Sequence, residues 1–327
     1  MLRKVAETRV LHGILSSQHG VCISHLLFAD DSLLLCKATV GECQQLLHIL
    51  GQYEAASGQA INRQKMAFFF SKDTMPEVRT LIQQMLGGRI MTQSEKYLNL
   101  PMASGKSKVT TFKDLQEKVT KRVMGWKERF ISKVGREVLI KTVVQATPTY
   151  AMSIFKLPKS TCDNINSLLA KYWWGQTREE RKIHWINWKK LCTQKKEGGM
   201  GFRDLHSFNL AMLSKQAWRL IHDTNSLFYK VYKARYFPNS SFMMADVGSN
   251  PSFVWRSLLV ARDVIFRGSK WRVGNGRTIG VYTHKCLTHT PIPLTEAALD
   301  MRVCELIDED TRQWDWGKLE AMFSQRT

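Results

Sequence analysis

Acidic residues are scarce in this chain: 28 Asp and Glu stand against 48 Lys and Arg over 327 residues, a net charge of +20. A field of that sign favours polyanions as partners, nucleic acid first and a membrane surface second. Long apolar runs are missing too. No stretch approaches the ~18 apolar residues that a spanning helix needs, which removes an integral membrane protein from the reading. The seven cysteines form no CxxC pair and their number is odd, so neither a zinc ribbon nor a disulfide framework is indicated and a reducing compartment is expected. The opening "MLRKVAETRV" has no apolar core of a secretory signal, although Arg3, Lys4 and Arg9 leave a mitochondrial presequence open. A Gly-rich phosphate loop, a Ser-His-Asp set, an HExxH pair, internal repeats and low-complexity segments are all lacking.

What is present is enough apolar material, 44%, to bury a core for two modest domains. Residues 23–29 and 32–36 read as two short strands whose apolar residues do not alternate, the pattern of strands covered on both faces. Thr39 and Glu42 make a capping box, Leu46, Leu47, Leu50 and Tyr53 an apolar stripe, and Gly58 a stop, which together predict a helix. "AINRQKMAFFF" (60–70) predicts a strand, and Pro76 opens a helix that Gly87 and Gly88 end. Phe112, Leu115, Val119, Val123, Trp126 and Phe130 recur at three and four residues, predicting one long amphipathic helix. Beyond Pro148 the spacing predicts helices over 160–174, 208–221, 227–236 and 253–266, and "WRVGNGRTIGVY" (271–282) reads as a hairpin turned at Gly-Asn-Gly.

In "SHLLFADDSLLLC" (24–36), Asp30 and Asp31 stand side by side in an otherwise uncharged run. An ordinary surface turn tolerates Asp well. Here the flanking strands read as buried on both faces, and two adjacent carboxylates at the tip of such a hairpin repel unless a cation lies between them. Hard oxygen ligands suit Mg²⁺, and metal-assisted phosphoryl transfer follows as the chemistry, with a third carboxylate required from another strand.

"ISHLLFADDSLLLCKA" resembles the catalytic hairpin of plant non-LTR (LINE-type) retrotransposon reverse transcriptases. The likeness continues in order through "SGQAINRQKMAFFFS", "YLNLP", "GREVLIKTVVQATPTYAMSIFKLPKS", "KYWWGQ", "KIHWINWKKLC", "GGMGFRDLHSFNLAMLSKQAWRL", "KARYFP", "PSFVWRSLL" and "WRVGNG". It implies an α+β architecture: a partial reverse-transcriptase palm over 1–103, a mostly helical thumb and connection over 104–245, and a C-terminal helix and hairpin segment over 246–327. It gives Asp30 and Asp31 the role of Mg²⁺ ligands and Lys65 that of a lysine protonating the pyrophosphate leaving group. Asn99 stands in place of the middle Gly of the family's YLGLP, and Met66 where a Ser is usual.

Eleven Lys or Arg crowd the stretch from Lys106 to Lys141 against four acids. With the apolar stripe occupying one side of the helix, the cations gather on the other, as tracking a phosphate backbone requires. Lys106, Lys108, Lys113, Lys118, Lys121, Arg122, Lys133, Arg136 and Lys141 are therefore the candidate nucleic-acid contacts. Trp173, Trp174, Trp185 and Trp188 read as core. His284, Cys286 and His289 match no zinc-finger spacing and read as chance.

By the resemblance, the fingers, the strand bearing the first catalytic aspartate and an "RQGDPLSP"-like nucleotide segment would precede Met1, and a zinc-binding region would follow the last residue. The expectation is a truncated LINE-type reverse transcriptase, an RNA-directed DNA polymerase by descent, inactive alone and dependent on Mg²⁺ for any activity it keeps. Its partners are RNA and DNA held by their phosphates, with no membrane. A palm hairpin left without its covering surface would favour self-association. The nucleus is the expected compartment, ahead of the mitochondrion. The alternative is a repurposed nucleic-acid-binding protein that retains the basic thumb surface.

Overall fold

The computed structural model describes residues 11–18, 20–91, 96–98, 100–101, 108–126, 131–175, 182–287 and 300–323. Contacts divide the chain after Ala261 into two compact units. Among the described residues of the first, eight short strands pair in twos: β1 (Ile14–Leu15) with β2 (Cys22–Ile23), β3 (His25–Phe28) with β4 (Asp31–Leu34), β5 (Ala67–Phe68) with β6 (Arg89–Ile90) and β7 (Lys96–Tyr97) with β8 (Leu100–Pro101). Of these four pairs β5–β6 is parallel and the others are antiparallel. The mixture of helices with small sheets is α+β.

The first helix, α1 (Val40–Ser57), begins and ends where its caps dictate. Thr39 Oγ1 accepts from the Glu42 amide, and Gly58 closes the helix at φ 69°. The capping box is only half made, because the Glu42 carboxylate reaches past the cap, accepting from the Lys37 amide at 2.9 Å and meeting His12 Nδ1 at 2.8 Å. Cys43, Leu46 and Ile49 are the buried stripe, whereas Tyr53 is exposed. Pro76 occupies the first turn of α2 (Pro76–Leu86), and Gly87 follows its last residue. Ile82 and Leu86 pack with Cys43, Met66 and Phe68, so α2 covers the parallel pair it connects. Gly88, at φ 96°, brings the backbone so near Met66 that an added Cβ would stand 2.7 Å from its carbonyl oxygen, a position only glycine fills.

Two strand expectations need correction here, on the β3–β4 hairpin and on residues 60–70. The β3–β4 hairpin is not covered on both faces: Leu27 is 60% and Phe28 63% exposed, and among the described residues its sheet has no further strand. Among the described residues the far end of β4 is anchored through Leu34, which packs with Cys36 beside Leu11, Leu46 and Ile49. Of "AINRQKMAFFF", only Ala67–Phe68 is strand, because Asn62 folds the polar run before it into a turn by accepting from the Lys65 amide with both its backbone and side-chain oxygens. "YLNLP" pairs with itself as a tight hairpin, Tyr97 opposite Leu100, with Leu98 at φ 50°.

Helices dominate the rest of this unit among the described residues. Besides short turns of helix at Lys108–Thr111 and Trp188–Leu191 they include α3 (Lys113–Gly125), α4 (Lys133–Leu139) continuing into a π-helical turn (Ile140–Val144), α5 (Thr149–Met152), α6 (Lys159–Trp174), α7 (Leu205–His222), α8 (Leu227–Tyr236) and α9 (Phe253–Gly268), which begins in this unit. Their common core joins Val119 and Val123 of α3 to Ile140, Met152, Leu169 and Leu205. Two buried side-chain amides hold it in register. Asn209 of α7 donates through Nδ2 to the Met152 and Phe155 carbonyls at 2.8 and 2.9 Å and accepts from the Leu157 amide at 2.8 Å. Gln145 brackets Arg203 in the same way, donating to its carbonyl and accepting from its amide.

The second unit is organised around Ile279, Val281, Val303 and Leu306, and it carries α10 (Trp316–Met322). Residues 271–282 do not form the expected hairpin. Their backbone pairs instead with a later segment: the Val281 amide donates to Met301, and the amides of Val303 and Cys304 donate to Ile279 and Gly276.

Replacing Asn209 by Ala leaves three buried backbone groups without partners. Urea unfolding is expected to register a loss of about 3–4 kcal/mol, and a loss below ~1 kcal/mol would show that the Met152–Leu157 turn holds itself.

Candidate nucleic-acid interface

The carboxylate pair lies at an exposed hairpin tip. Phe28 and Asp31 are cross-strand partners, so Ala29 and Asp30 form a two-residue turn, with Ala29 at φ 49°. Asp30 thus occupies the turn and Asp31 begins the returning strand; both are exposed. Among the described residues no group of three or more His, Cys, Asp or Glu stands together. Two adjacent exposed carboxylates do not by themselves supply the ligand set that phosphoryl transfer by Mg²⁺ requires. Lys65 is exposed and belongs to the Asn62 turn, not to a strand.

Helix α3 presents the arrangement that its spacing predicts. Val119 and Val123 are buried, Phe112 is buried just before the first turn, and Leu115 and Trp126 pack against the same core. Trp126 caps the C-terminal end and lies 5.3 Å from the Tyr172 ring. The helix stops there, and Phe130 lies outside the described residues. On the opposite side Lys113, Lys118, Lys121 and Arg122 are exposed. Lys113 faces Glu117 at 3.9 Å, and Arg122 donates to Thr147 Oγ1 at 2.6 Å. Lys118 and Lys121 pair with no carboxylate among the described residues.

The later cations of the series are engaged inside the protein. Lys133 Nζ donates to the Trp173 carbonyl at 2.8 Å and sits over the Trp173 and Trp174 rings. Arg136 Nη1 reaches the Tyr172 and Trp173 carbonyls at 3.4 Å. Both therefore cap the last turn of α6, where unsatisfied carbonyls and the helix dipole favour positive charge. Burial, and then the neighbouring Arg136, lower the Lys133 ammonium below its ordinary value. Lys141 binds Glu137 at 2.7 Å, and Lys195 joins the same carboxylate at 3.0 Å. Lys106 lies outside the described residues.

Of the tryptophans expected in the core, Trp173 is buried, Trp174 and Trp188 are half-buried, and Trp188 stacks on Phe202 at 5.0 Å. Trp185 is a correction: it is 77% exposed, in a loop where Ile183 and Ile186 are exposed as well. His284 accepts from the Gly280 amide through Nδ1 and meets the Trp271 ring edge-on, while His289 lies outside the described residues.

Two cations escaped the sequence reading. Lys156 and Arg256 line one cleft with Lys108. They are far apart along the chain and share no motif, so only the packing of α9 against the Phe155–Pro158 segment brings them together.

No family model matches the chain. An "Uncharacterized mitochondrial protein" of Arabidopsis thaliana is 41% identical over 150 residues, which cover 45% of this chain and 97% of that protein. A "Putative ribonuclease H protein" of the same plant is 32% identical over 237 residues, covering 70% of this chain but 38% of that protein, so the chain spans less than half of its length.

The Glu137 cluster carries a pH signature. Hydrogen bonds from Lys141, then Lys195, hold this carboxyl below the usual range, against an opposing effect of burial. A depressed folded value means that the stabilisation is complete above the unfolded value of about 4.3 and is lost as pH falls through the folded one. Glu137→Gln is expected to be less stable than the parent near neutrality, with the difference shrinking as unfolding is measured at progressively lower pH below about 4. A difference that stays constant would place the stabilisation elsewhere.

Proposed function

The chain belongs to the family of the uncharacterized Arabidopsis mitochondrial protein, and on that premise we propose that it is a transposable-element-derived nucleic-acid-binding protein. In this reading it descends from a LINE-type reverse transcriptase, retains part of the palm and the thumb, and grips RNA and DNA through their phosphates. The observation that carries the reading is the exposed row of Lys118 and Lys121 beside Arg122 on α3, away from a stripe buried in the core. Cations fixed on a rigid helix meet phosphates without reading base edges, so the binding has little sequence preference and strong salt dependence. The overall charge of +20 draws the polyanion in. The "FADD" hairpin supports the reverse-transcriptase descent, and the naming of one relative for ribonuclease H fits an origin in the same kind of element. The compartment proposed is the nucleus or, as in the name of the other relative, the mitochondrion.

Polymerisation is not part of the proposed activity. Asp30 and Asp31 would serve Mg²⁺ only with a further carboxylate from another segment or chain. The purified chain is accordingly expected to give no extension of a primed RNA template in Mg²⁺; extension abolished by Asp30→Ala would overturn this.

Leu26, Leu27 and Phe28 offer an uncovered apolar strand to a second copy of the hairpin. Sedimentation velocity is expected to show association that Leu27→Ser with Phe28→Ser removes. A parent that stays monomeric at every concentration would dismiss this contact.

The binding itself is tested by salt titration. Changing Lys118, Lys121 and Arg122 together to Gln is expected to weaken binding and reduce the slope of log K against log salt by up to about 3. Trp126→Ala, removing a half-buried ring, should cost about 2 kcal/mol of stability and leave that slope unchanged. A triple variant that binds like its parent would remove α3 from the interface.

A further inference from the structure

A cleft of about 330 Å³ lies between the short helix Lys108–Thr111, the Phe155–Pro158 segment and the first turns of α9. Lys108, Lys156 and Arg256 all contribute to its lining, and among the described residues no acidic one does. Each cation is supported differently. Lys108 Nζ stands 4.5 Å from the centre of the Phe253 ring, and that ring also stacks with Phe155 at 5.3 Å. Lys156 is fixed through its backbone: its own amide donates to Ser257 Oγ at 2.8 Å, and the residues on either side of it are held by Asn209. Its ammonium lies 3.4 Å from His206 Nε2. Arg256 is exposed at the rim. None of the three forms an ion pair among the described residues. Burial lowers the Lys156 ammonium, and the attraction of Cys162 and Asp204 only partly opposes this.

Three like charges gathered around one concavity, with no carboxylate among the lining residues, repel one another, and an anion seated among them relieves that repulsion. Apart from Ser257, the rest of the lining is apolar: Val109, Pro158 and Val260 stand with Phe253. A bare inorganic anion would leave these groups wetted. The lining calls for a ligand with a phosphate at one end and a flat, weakly polar body at the other.

We propose that this cleft receives one nucleotide of a single-stranded nucleic acid, its phosphate among Lys108, Lys156 and Arg256 and its base against Val109, Pro158 and Val260. The proposal rests on the nucleic-acid reading above and adds to it a preference for single strands, because a base within a duplex cannot leave its stack without cost. A free nucleotide presents the same chemistry, and the measurement separates the two sources.

The full chain is titrated against a fluorescein-labelled ten-residue oligothymidylate and against a duplex of equal length, with thymidine monophosphate as competitor. Arg256→Gln combined with Val260→Asp is expected to weaken single-strand binding by about tenfold and lower its salt slope by about 0.7, with duplex binding unchanged. Lys108→Gln serves as a second variant at a different edge of the cleft and should act in the same direction. Competition by the monophosphate only at millimolar concentration identifies the strand as the source. Competition at micromolar concentration, lost in the double variant, identifies a free nucleotide in the same cleft. Variants that melt like the parent and bind single strands as tightly as it does overturn the cleft and leave the α3 surface standing. A parent that binds neither strand nor monophosphate overturns both.

Discussion

The helical part of this protein depends on one buried amide. Asn209 satisfies two carbonyls and an amide within Met152–Leu157, a stretch where the helical pattern breaks and the backbone would otherwise carry unpaired polar groups into the core. Because that stretch is fixed, Phe155 can lie between Phe112 and Phe253, and Leu157 can enter the core beside Cys162. The cleft cations inherit the same constraint, since Lys156 sits between two residues that Asn209 holds. Gln145 repeats the device after the π-helical turn, where a helix interrupted by one wide turn has to find its next neighbour. A side-chain amide suits both places because it donates and accepts in one plane, as a backbone peptide does.

A strongly basic chain must decide which of its cations to spend on its own architecture. Lys133 and Arg136 are consumed by the carbonyls that end α6, and Lys141 shares the Glu137 carboxylate with Lys195. Their charge is answered internally. Lys118 and Lys121 have no such answer among the described residues. Around the cleft Lys108 leans on the Phe253 ring and Lys156 meets His206, but neither they nor Arg256 pairs with a carboxylate among the described residues. Cations at the end of α6 are captured by its carbonyls, and those on the exposed face of α3 remain for solvent or a polyanion.

Features written in local chemistry were legible in the sequence. Thr39 and Gly58 bound α1, Pro76 and Gly87 bound α2, and Gly175 ends α6, each as its residue type requires. Helix α8 has the limits its spacing predicts, and the buried stripe of α3 falls on the expected residues. Sheet structure was less legible, because a strand's covering comes from elsewhere in the chain. The apolar runs around Asp30 and Asp31 read as doubly buried, yet among the described residues they meet no second layer. "WRVGNGRTIGVY" carries a fair hairpin signal, but its amides and carbonyls find better partners at Met301–Cys304. Trp185 looked like core because tryptophan usually is, and one exposed loop reverses that. The candidate site split along the same line: α3 could be read from periodicity, whereas Lys156 and Arg256 meet only through tertiary packing.

The span of Asn209's hydrogen bonds also orders events in time. Its partners lie 52 to 57 residues away along the chain, while the β3–β4 hairpin closes through a two-residue turn. Hairpins form in about 1–10 µs, and contacts of long sequence separation must first meet the entropy of closing a large loop. On a ribosome the Leu27 and Phe28 strand therefore emerges and pairs well before α7 has been synthesised to lock the Met152–Leu157 turn. The nascent chain displays its most adhesive surface early and acquires its most specific polar clamp late, so it depends most on chaperones during that interval.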